Sequence, residues 1–409
     1  MSTRLSRRSV IFLLFALSSL TLAATGKRFL TQLRAASYWF SQNVLFKFAK
    51  KITFETATPE SFDISSAQLN QLTTALKAKN THSFIVVKND KIIHEWYGDK
   101  DGMHDKHRIA SGAKAIVGGF ALAIALNDQL IDIQEFAATY VPQWESHPQK
   151  SKITIEQLAR HSSGLENAEE NGQYGPQLAG WKGNYWRNRE NRWKISIDQA
   201  PLIFSPGTGY TYSNPGTSAL SYIFARIFST TALSNVKQAL QTKVMKPLGI
   251  PDYAWSINYG GEPFRANDMD LYYIDGGAAF TARALARLGE VMLNKGKWQG
   301  KTILTEEVVS TLVDYNGRPS PDTLSNFPSP GLLWHTNANN TFPSLPKDAF
   351  IAAGASHQIL CIIPSLDIVI VRMGDELGPA QWYEEYWQDL ESLLFQPIMS
   401  AVNNLSSTD

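Results

Sequence analysis

The sequence predicts an α+β fold: an antiparallel sheet built from both chain ends, flanked by helices, with a mainly helical second lobe. Two observations predict it. Strand-like stretches sit at the two ends of the folded region, as one pair flanking Asn89-Asp90 and a second flanking Pro364-Ser365-Leu366. Between them, helical and irregular segments dominate as far as Asp275. Terminal strands closing one sheet around a helical insertion make two lobes, and the cleft between lobes is the expected place for a site.

The elements follow in order. Arg4, Arg7 and Arg8 precede an apolar run from Val10 to about Ala24, closed by small residues. That pattern is a signal peptide or signal anchor over residues 1–25, and the run is short of the roughly 20 apolar residues a spanning helix needs. The protein is therefore expected to be exported, periplasmic or secreted. Residues 26–65 read as a linker or membrane-proximal segment, with Lys27, Arg28 and Arg34 followed by Tyr38, Trp39 and Phe40 suited to a membrane surface. The folded domain is expected over 66–400. A helix is predicted over 66–78, strands over 83–87 and 91–97, and a helix from Ser111 to about Asp128. Further helices are predicted over 281–293 and after 301–305, then strands over 358–363 and 367–373, and a last helix from about Pro379 to Leu394.

Composition removes several function classes. Of 409 residues, 44% are hydrophobic and 18% charged, as in an ordinary globular protein. A net charge of +1 gives no reason to expect nucleic acid as partner. Cys361, the one cysteine, lies in an apolar strand pattern and reads as core filler. The eight histidines are scattered and no glycine-rich nucleotide loop is present, so neither a metal nor an organic cofactor is expected.

The chemistry-bearing residues begin at Ser111-Gly-Ala-Lys114. A Ser-x-x-Lys pattern also occurs at Ser234 and Ser344, but only Ser111 opens a helix that is apolar nearly all round, from Ala115 to Leu126. Such a helix belongs in a core. Positions three apart share a helix face, so the Lys114 amine can approach the Ser111 hydroxyl. Burial and the positive helix end both disfavour its ammonium form, which suits a general base. The bland alternative is a structural lysine capped by a buried carboxylate, and nothing near it in sequence supplies one. About a hundred residues on, Tyr212 and Asn214 follow the Pro206-Gly207 turn, with helical pattern resuming at Thr217. Both can point into the cleft, the phenol relaying a proton and the amide orienting the lysine or a substrate carbonyl.

The segment His107–Lys114 resembles the nucleophile segment of the serine β-lactamase and penicillin-binding superfamily, class C branch. Ile153–Leu165, Pro206-Gly207, Tyr212-Ser-Asn214, Lys246–Ile250 and Gly276–Arg287 are similar to that family's later segments and come in its order. The resemblance runs from roughly residue 66 to 395. It implies a β-lactamase/transpeptidase-like fold with Ser111 as acylated nucleophile and Lys114 and Tyr212 as its acid–base partners. The family's Lys-Thr-Gly is missing: Ala352–Gln358 holds no lysine and is similar to the Gly-rich variant of family VIII esterases and 6-aminohexanoate-dimer hydrolases. Backbone N–H groups of Ser111 and Ala355 can still form an oxyanion hole. An ester or small amide substrate is favoured over a β-lactam or a D-amino-acid peptide, with a catalytically silent scaffold as the non-enzymatic alternative. Gly354, His357, Asp275 and Asn214 are candidate substrate contacts. So are Tyr174, Trp181 and Trp186, from an aromatic insertion that fits a lid over the cleft. Ser356 is a rival nucleophile, but the nucleophile elbow needs strand then helix, and strand follows here.

Overall fold

A computed structural model describes residues 51–98, 102–170, 172–324, 326–378 and 383–403. The proposed leader and most of the linker lie outside the described residues. The folded unit begins at Ile52.

Its frame is an eight-stranded sheet. The strands are β1 (Glu55–Thr56), β2 (Thr81–Lys88), β3 (Lys91–Tyr97), β4 (Ser329–Pro330), β5 (His335–Thr336), β6 (Phe350–Gly354), β7 (Gln358–Ile363) and β8 (Ile368–Gly374). Their order is β1-β3-β2-β8-β7-β6-β5-β4, so the two chain ends meet where β2 pairs with β8. Asn89 and Asp90, with φ of 48° and 61°, supply the two left-handed residues that a tight β2–β3 hairpin requires.

All ladders are antiparallel except β1, which adds in parallel to β3 through Glu55↔Lys91. The expected frame thus gains a short parallel strand at one edge, and the part of the expected linker over 52–65 is folded. Ile52 and Ile64 are buried, and the Ile52 carbonyl accepts from Arg283. Two strand residues carry no alternation to recognise, which is why β1 is invisible in sequence.

Both faces of the sheet are covered. Ile85, Val87, Leu360, Ile362, Val369 and Val371 point into one apolar core, while Phe84, Val86, Ile359, Cys361, Ile368 and Ile370 point into another. That is the period-2 alternation of a strand, here apolar on both sides, so the strands read as continuous apolar runs. The second core is closed by α1 (Ser66–Lys77), which buries Leu69, Leu72 and Leu76 along one stripe and is capped by Ser65 accepting from the Gln68 N–H. Each such leucine contributes roughly 1.5–3 kcal/mol of burial. The C-terminal helices (383–403) cover the same face, beyond the expected end at Leu394.

The first core is organised around α2 (Phe120–Asn127), continuous with the turns that begin at Ala110. By length and composition Ala110–Asn127 could cross a membrane, but 78% of it is buried inside this fold. Its neighbours approach closely enough that a Cβ at Gly119 would lie 2.7 Å from Trp334 Nε1. α3 (Asn214–Ser229) and α4 (Ala282–Leu293, capped by Thr281) complete the layer. α3 starts three residues earlier than the pattern indicates. Ser213 is its N-cap, accepting from the Gly216 N–H, and Pro215 occupies a first-turn position where no N–H is needed.

Candidate active site

Ser111 sits at a strand-to-helix corner. His107–Arg108 pairs with Ala279–Phe280, and the Ile109 N–H donates to the Ala278 carbonyl at 3.0 Å. Ala110 then takes φ 44°, a left-handed conformation that a non-glycine residue holds only when its surroundings impose it. The chain continues as a single 3₁₀ turn and a wider π-helical turn over Lys114–Gly119. The expected helix is therefore present, irregular in its first two turns. The three-residue spacing still serves: Lys114 Nζ lies 3.4 Å from Ser111 Oγ.

Lys114 is 3% exposed. Its ammonium also donates to Asn214 Oδ1 at 2.8 Å and to the Asp275 carbonyl at 3.4 Å. Burial lowers its pKa to about 8, with Arg192 adding to the fall and the Asp275 and Glu169 carboxylates opposing it. The capping carboxylates that sequence did not supply thus exist in space, yet they act at a distance. The direct partners are an amide, a hydroxyl and a carbonyl.

Tyr212 hydrogen-bonds the Ser111 side chain, and Lys114 Nζ lies 4.7 Å from the centre of its ring. Burial drives the phenol above its ordinary pKa, with the Ser111 hydrogen bond opposing. His161 holds this tyrosine from three directions. Its carbonyl accepts from the Thr211 N–H at 3.0 Å, its Nδ1 from the Ser213 N–H at 3.1 Å, and its ring lies 4.7 Å from the phenol ring. An accepting Nδ1 leaves the proton on Nε2. Burial, then the Lys114 charge, keeps His161 far below its usual pKa.

A small enclosed cavity is lined by Ser111, Lys114, His161, Trp334, His335 and Ala353. Burial and the Lys114 charge lower His335 to about 4, so both imidazoles are neutral at neutral pH. The end of β6 closes one side: a Cβ at Gly354 would stand 2.1 Å from the Ile109 carbonyl oxygen and 2.9 Å from the Gly112 nitrogen. Ala355 follows as an exposed turn residue.

The other candidates divide. Asn214 and Asp275 join the lysine's surroundings rather than an open wall. Tyr185 and Ser218 both donate to Asp275 Oδ2, at 3.0 and 3.2 Å. His357 is a correction. It is 1% exposed, stacked on Tyr386 at 4.4 Å, and its Nδ1 accepts from the Leu377 N–H, so it is committed to holding the turn after β6. The insertion is likewise pinned rather than free to act as a lid. Trp186 Nε1 donates to the Ala168 carbonyl, the Tyr174 ring lies tilted against Trp186 at 5.6 Å, and Trp181 and Trp186 pack against Ala168, Tyr185 and Ile195. Trp193 is buried and stacked on Tyr222. Ser356 lies between two strands and contacts Glu376, as its sequence context indicates.

Sequence reasoning missed Asn167, Glu169 and His335, met Tyr185 only as part of the aromatic insertion, and recognised His161 only inside a longer motif. Among the described residues no group of three or more His, Cys, Asp or Glu could hold a metal ion.

A model of the family described as Beta-lactamase matches residues 69–392. The chain belongs to the beta-lactamase family. Among family-like proteins, the 6-aminohexanoate-dimer hydrolase of Paenarthrobacter ureafaciens is 22% identical over 353 residues, 83% of each chain. A penicillin-binding protein homologue from Caulobacter crescentus aligns with a TM-score of 0.61 at 15% identity, covering 82% of this chain and 98% of that one. A family VIII carboxylesterase aligns with a TM-score of 0.60 at 15% identity, with the same coverage. The beta-lactamase fold is thereby shown.

Proposed function

We propose that this beta-lactamase family member is a serine hydrolase acting through an acyl-enzyme on Ser111, with an ester or small amide as substrate. One observation carries the proposal: a buried lysine, lowered to about 8, within 3.4 Å of a hydroxyl that a phenol also hydrogen-bonds. Ser111 Oγ attacks the carbonyl carbon as its proton passes to neutral Lys114, aided by Tyr212. The oxyanion is received by the N–H groups of Ser111 and Ala355, which the close approach of Gly354 to the Ile109–Gly112 turn supports. Tyr212, whose raised pKa keeps it a phenol, protonates the leaving group and is recharged from Lys114. Water then attacks the acyl carbon by the reverse proton path and frees Ser111. Relatives named as a carboxylesterase and an aminohexanoate-dimer hydrolase support the bond class. The missing lysine in Ala352–Gln358 turns the reading away from β-lactams.

The test is hydrolysis of p-nitrophenyl esters, short amides and nitrocefin by the purified protein, with Ser111→Ala as control and a fluorophosphonate label on the wild type. Ester or amide turnover and a label on Ser111 are expected, both lost in the variant. A folded wild type that neither labels nor turns over any of them is a silent scaffold. Export is part of the same proposal, supported by the basic, apolar and small-residue succession over 1–25; recovery of the native protein in the cytosol would overturn it.

A further inference from the structure

The Gly354 carbonyl and the Ala355 N–H belong to one trans peptide group. In such a group the two bonds point in opposite directions, so whatever holds the oxygen also aims the hydrogen. The oxygen is held: Tyr386, in the helix Tyr383–Leu390, donates its phenol O–H to it at 2.9 Å. The N–H of Ala355 makes no hydrogen bond among the described residues, and Ala355 itself is exposed.

This peptide is packed backbone to backbone on the nucleophile turn. A Cβ on Gly354 would stand 2.9 Å from the nitrogen of Gly112, the residue after Ser111. On its other flank the chain is fixed as well. Ser356 and His357 both take left-handed φ, 61° and 54°, and the buried Arg372 donates from Nη1 to both of their carbonyls, at 2.8 and 3.1 Å.

Tyr386 has little freedom of its own. Its ring is stacked on His357, with centres 4.4 Å apart and planes 7° from parallel, and meets Trp387 edge-on at 4.8 Å. His357 is in turn tied to the Leu377 N–H through Nδ1. Burial raises the Tyr386 phenol above its ordinary pKa, so it keeps its proton and stays a donor at neutral pH. It also interacts electrostatically with Tyr212, the phenol that hydrogen-bonds Ser111, which puts it at the edge of the site.

We propose that Tyr386 is a positioning residue for the oxyanion hole: by donating to the Gly354 carbonyl it aims the Ala355 N–H at the developing oxyanion and strengthens that N–H as a donor. Hydrogen bonds in series polarise one another, by about 10–30% per bond. Charge on the acyl oxygen is thereby felt, through one peptide group, by a phenol on the C-terminal helix. The inference rests on the acyl-enzyme reading above and deepens its oxyanion step.

The experiment uses the full chain and Tyr386→Phe, which keeps a ring on His357 and removes only the hydroxyl. Single-turnover acylation by p-nitrophenyl butyrate gives a rate constant and a half-saturation concentration. Inhibition by phenylboronic acid reports the tetrahedral adduct on serine, which places an oxygen in the hole. Loss of a direct oxyanion donor costs roughly 10²–10³ in rate, so loss of its partner is expected to slow acylation about tenfold and weaken the boronic acid by a similar factor. Half-saturation is expected to stay within about twofold. A variant that melts lower but keeps both constants at wild-type values makes Tyr386 merely structural and overturns the proposal.

A second measurement places 3-fluorotyrosine, a more acidic phenol and stronger donor, at position 386. Acylation is expected to speed up by about twofold, and an unchanged or slower rate overturns the polarisation, whether or not Tyr386→Phe folds. Wild type that is neither acylated nor inhibited by the boronic acid would instead strike the acyl-enzyme reading, so the two failures are distinguishable.

Discussion

Asn214 and Glu169 are joined by a 2.9 Å hydrogen bond in which the amide Nδ2 donates to the carboxylate Oε1. Asn167 Oδ1 accepts from the same amide and from the Asn214 N–H. With its nitrogen so engaged, the amide must turn its oxygen to Lys114. Glu169 thereby orients the group that holds the lysine, besides contributing a negative charge to its surroundings.

The lowered lysine predicts a pH profile. Its neutral form, the one able to accept the Ser111 proton, grows as pH rises through about 8. Below that pH, kcat/KM for a neutral ester is expected to rise close to tenfold per pH unit, and above it to flatten. A profile flat from pH 6 to 9 would mean that no lysine titration governs acylation.

Removing one of the opposing anions is expected to move this limb. Both Asp275 and Glu169 raise the lysine, so Glu169→Gln, which keeps the hydrogen-bonding shape, shifts the limb to lower pH. The ratio of activity at pH 7 to that at pH 9 then increases, even though the absolute rate falls as the amide loosens. Stopped-flow acylation across pH measures it, and a limb moving upward contradicts the electrostatic assignment.

Gly354→Ala is expected to abolish turnover and lower Tm. The added Cβ would stand 2.1 Å from the Ile109 carbonyl oxygen, and the obstruction is backbone, which cannot rotate away. Separation of β6 from the nucleophile turn should cost roughly 1–3 kcal/mol, the usual range for overpacking. Chemical denaturation and ester hydrolysis together check it; wild-type values in both would mean the two segments are not in contact.

Far from the site, Arg287 Nε donates to Glu290 Oε2 at 2.8 Å, with the pair buried under Phe54 and Trp298. Burial raises the Glu290 carboxyl to about 8, so Glu290→Ala removes a buried hydrogen-bond acceptor from the guanidinium and is expected to destabilise by about 1–3 kcal/mol. Glu290→Ala/Arg287→Met should recover part of that loss. Urea midpoints of the two variants decide, and equal midpoints for wild type and Glu290→Ala would remove the pair as a contributor.

Much of the frame was readable in the chain. The two hairpins were marked by Asn89-Asp90 and Pro364 between apolar runs, and Ser111-x-x-Lys114 stood out because a lysine has no solvated face on a helix that is apolar all round. The two-residue strands β1, β4 and β5 were not, since a period needs more residues than they possess. His357 misled because a histidine in a glycine-rich turn looks available, whereas Tyr386 and Leu377, which occupy it, are contributed by the chain beyond β8.

By itself the sequence determined local matters: which segments are strands or helices, and that one serine and one lysine share a helical turn at the edge of a core. Those follow from periodicity and from charge against an apolar background, which act over a few residues. Only the tertiary structure decided how that lysine is held. Asn214, Asp275, Glu169 and Arg192 lie tens to more than a hundred and fifty residues from it along the chain. Their effect depends on distance and burial, which exist only after the sheet and helices have closed.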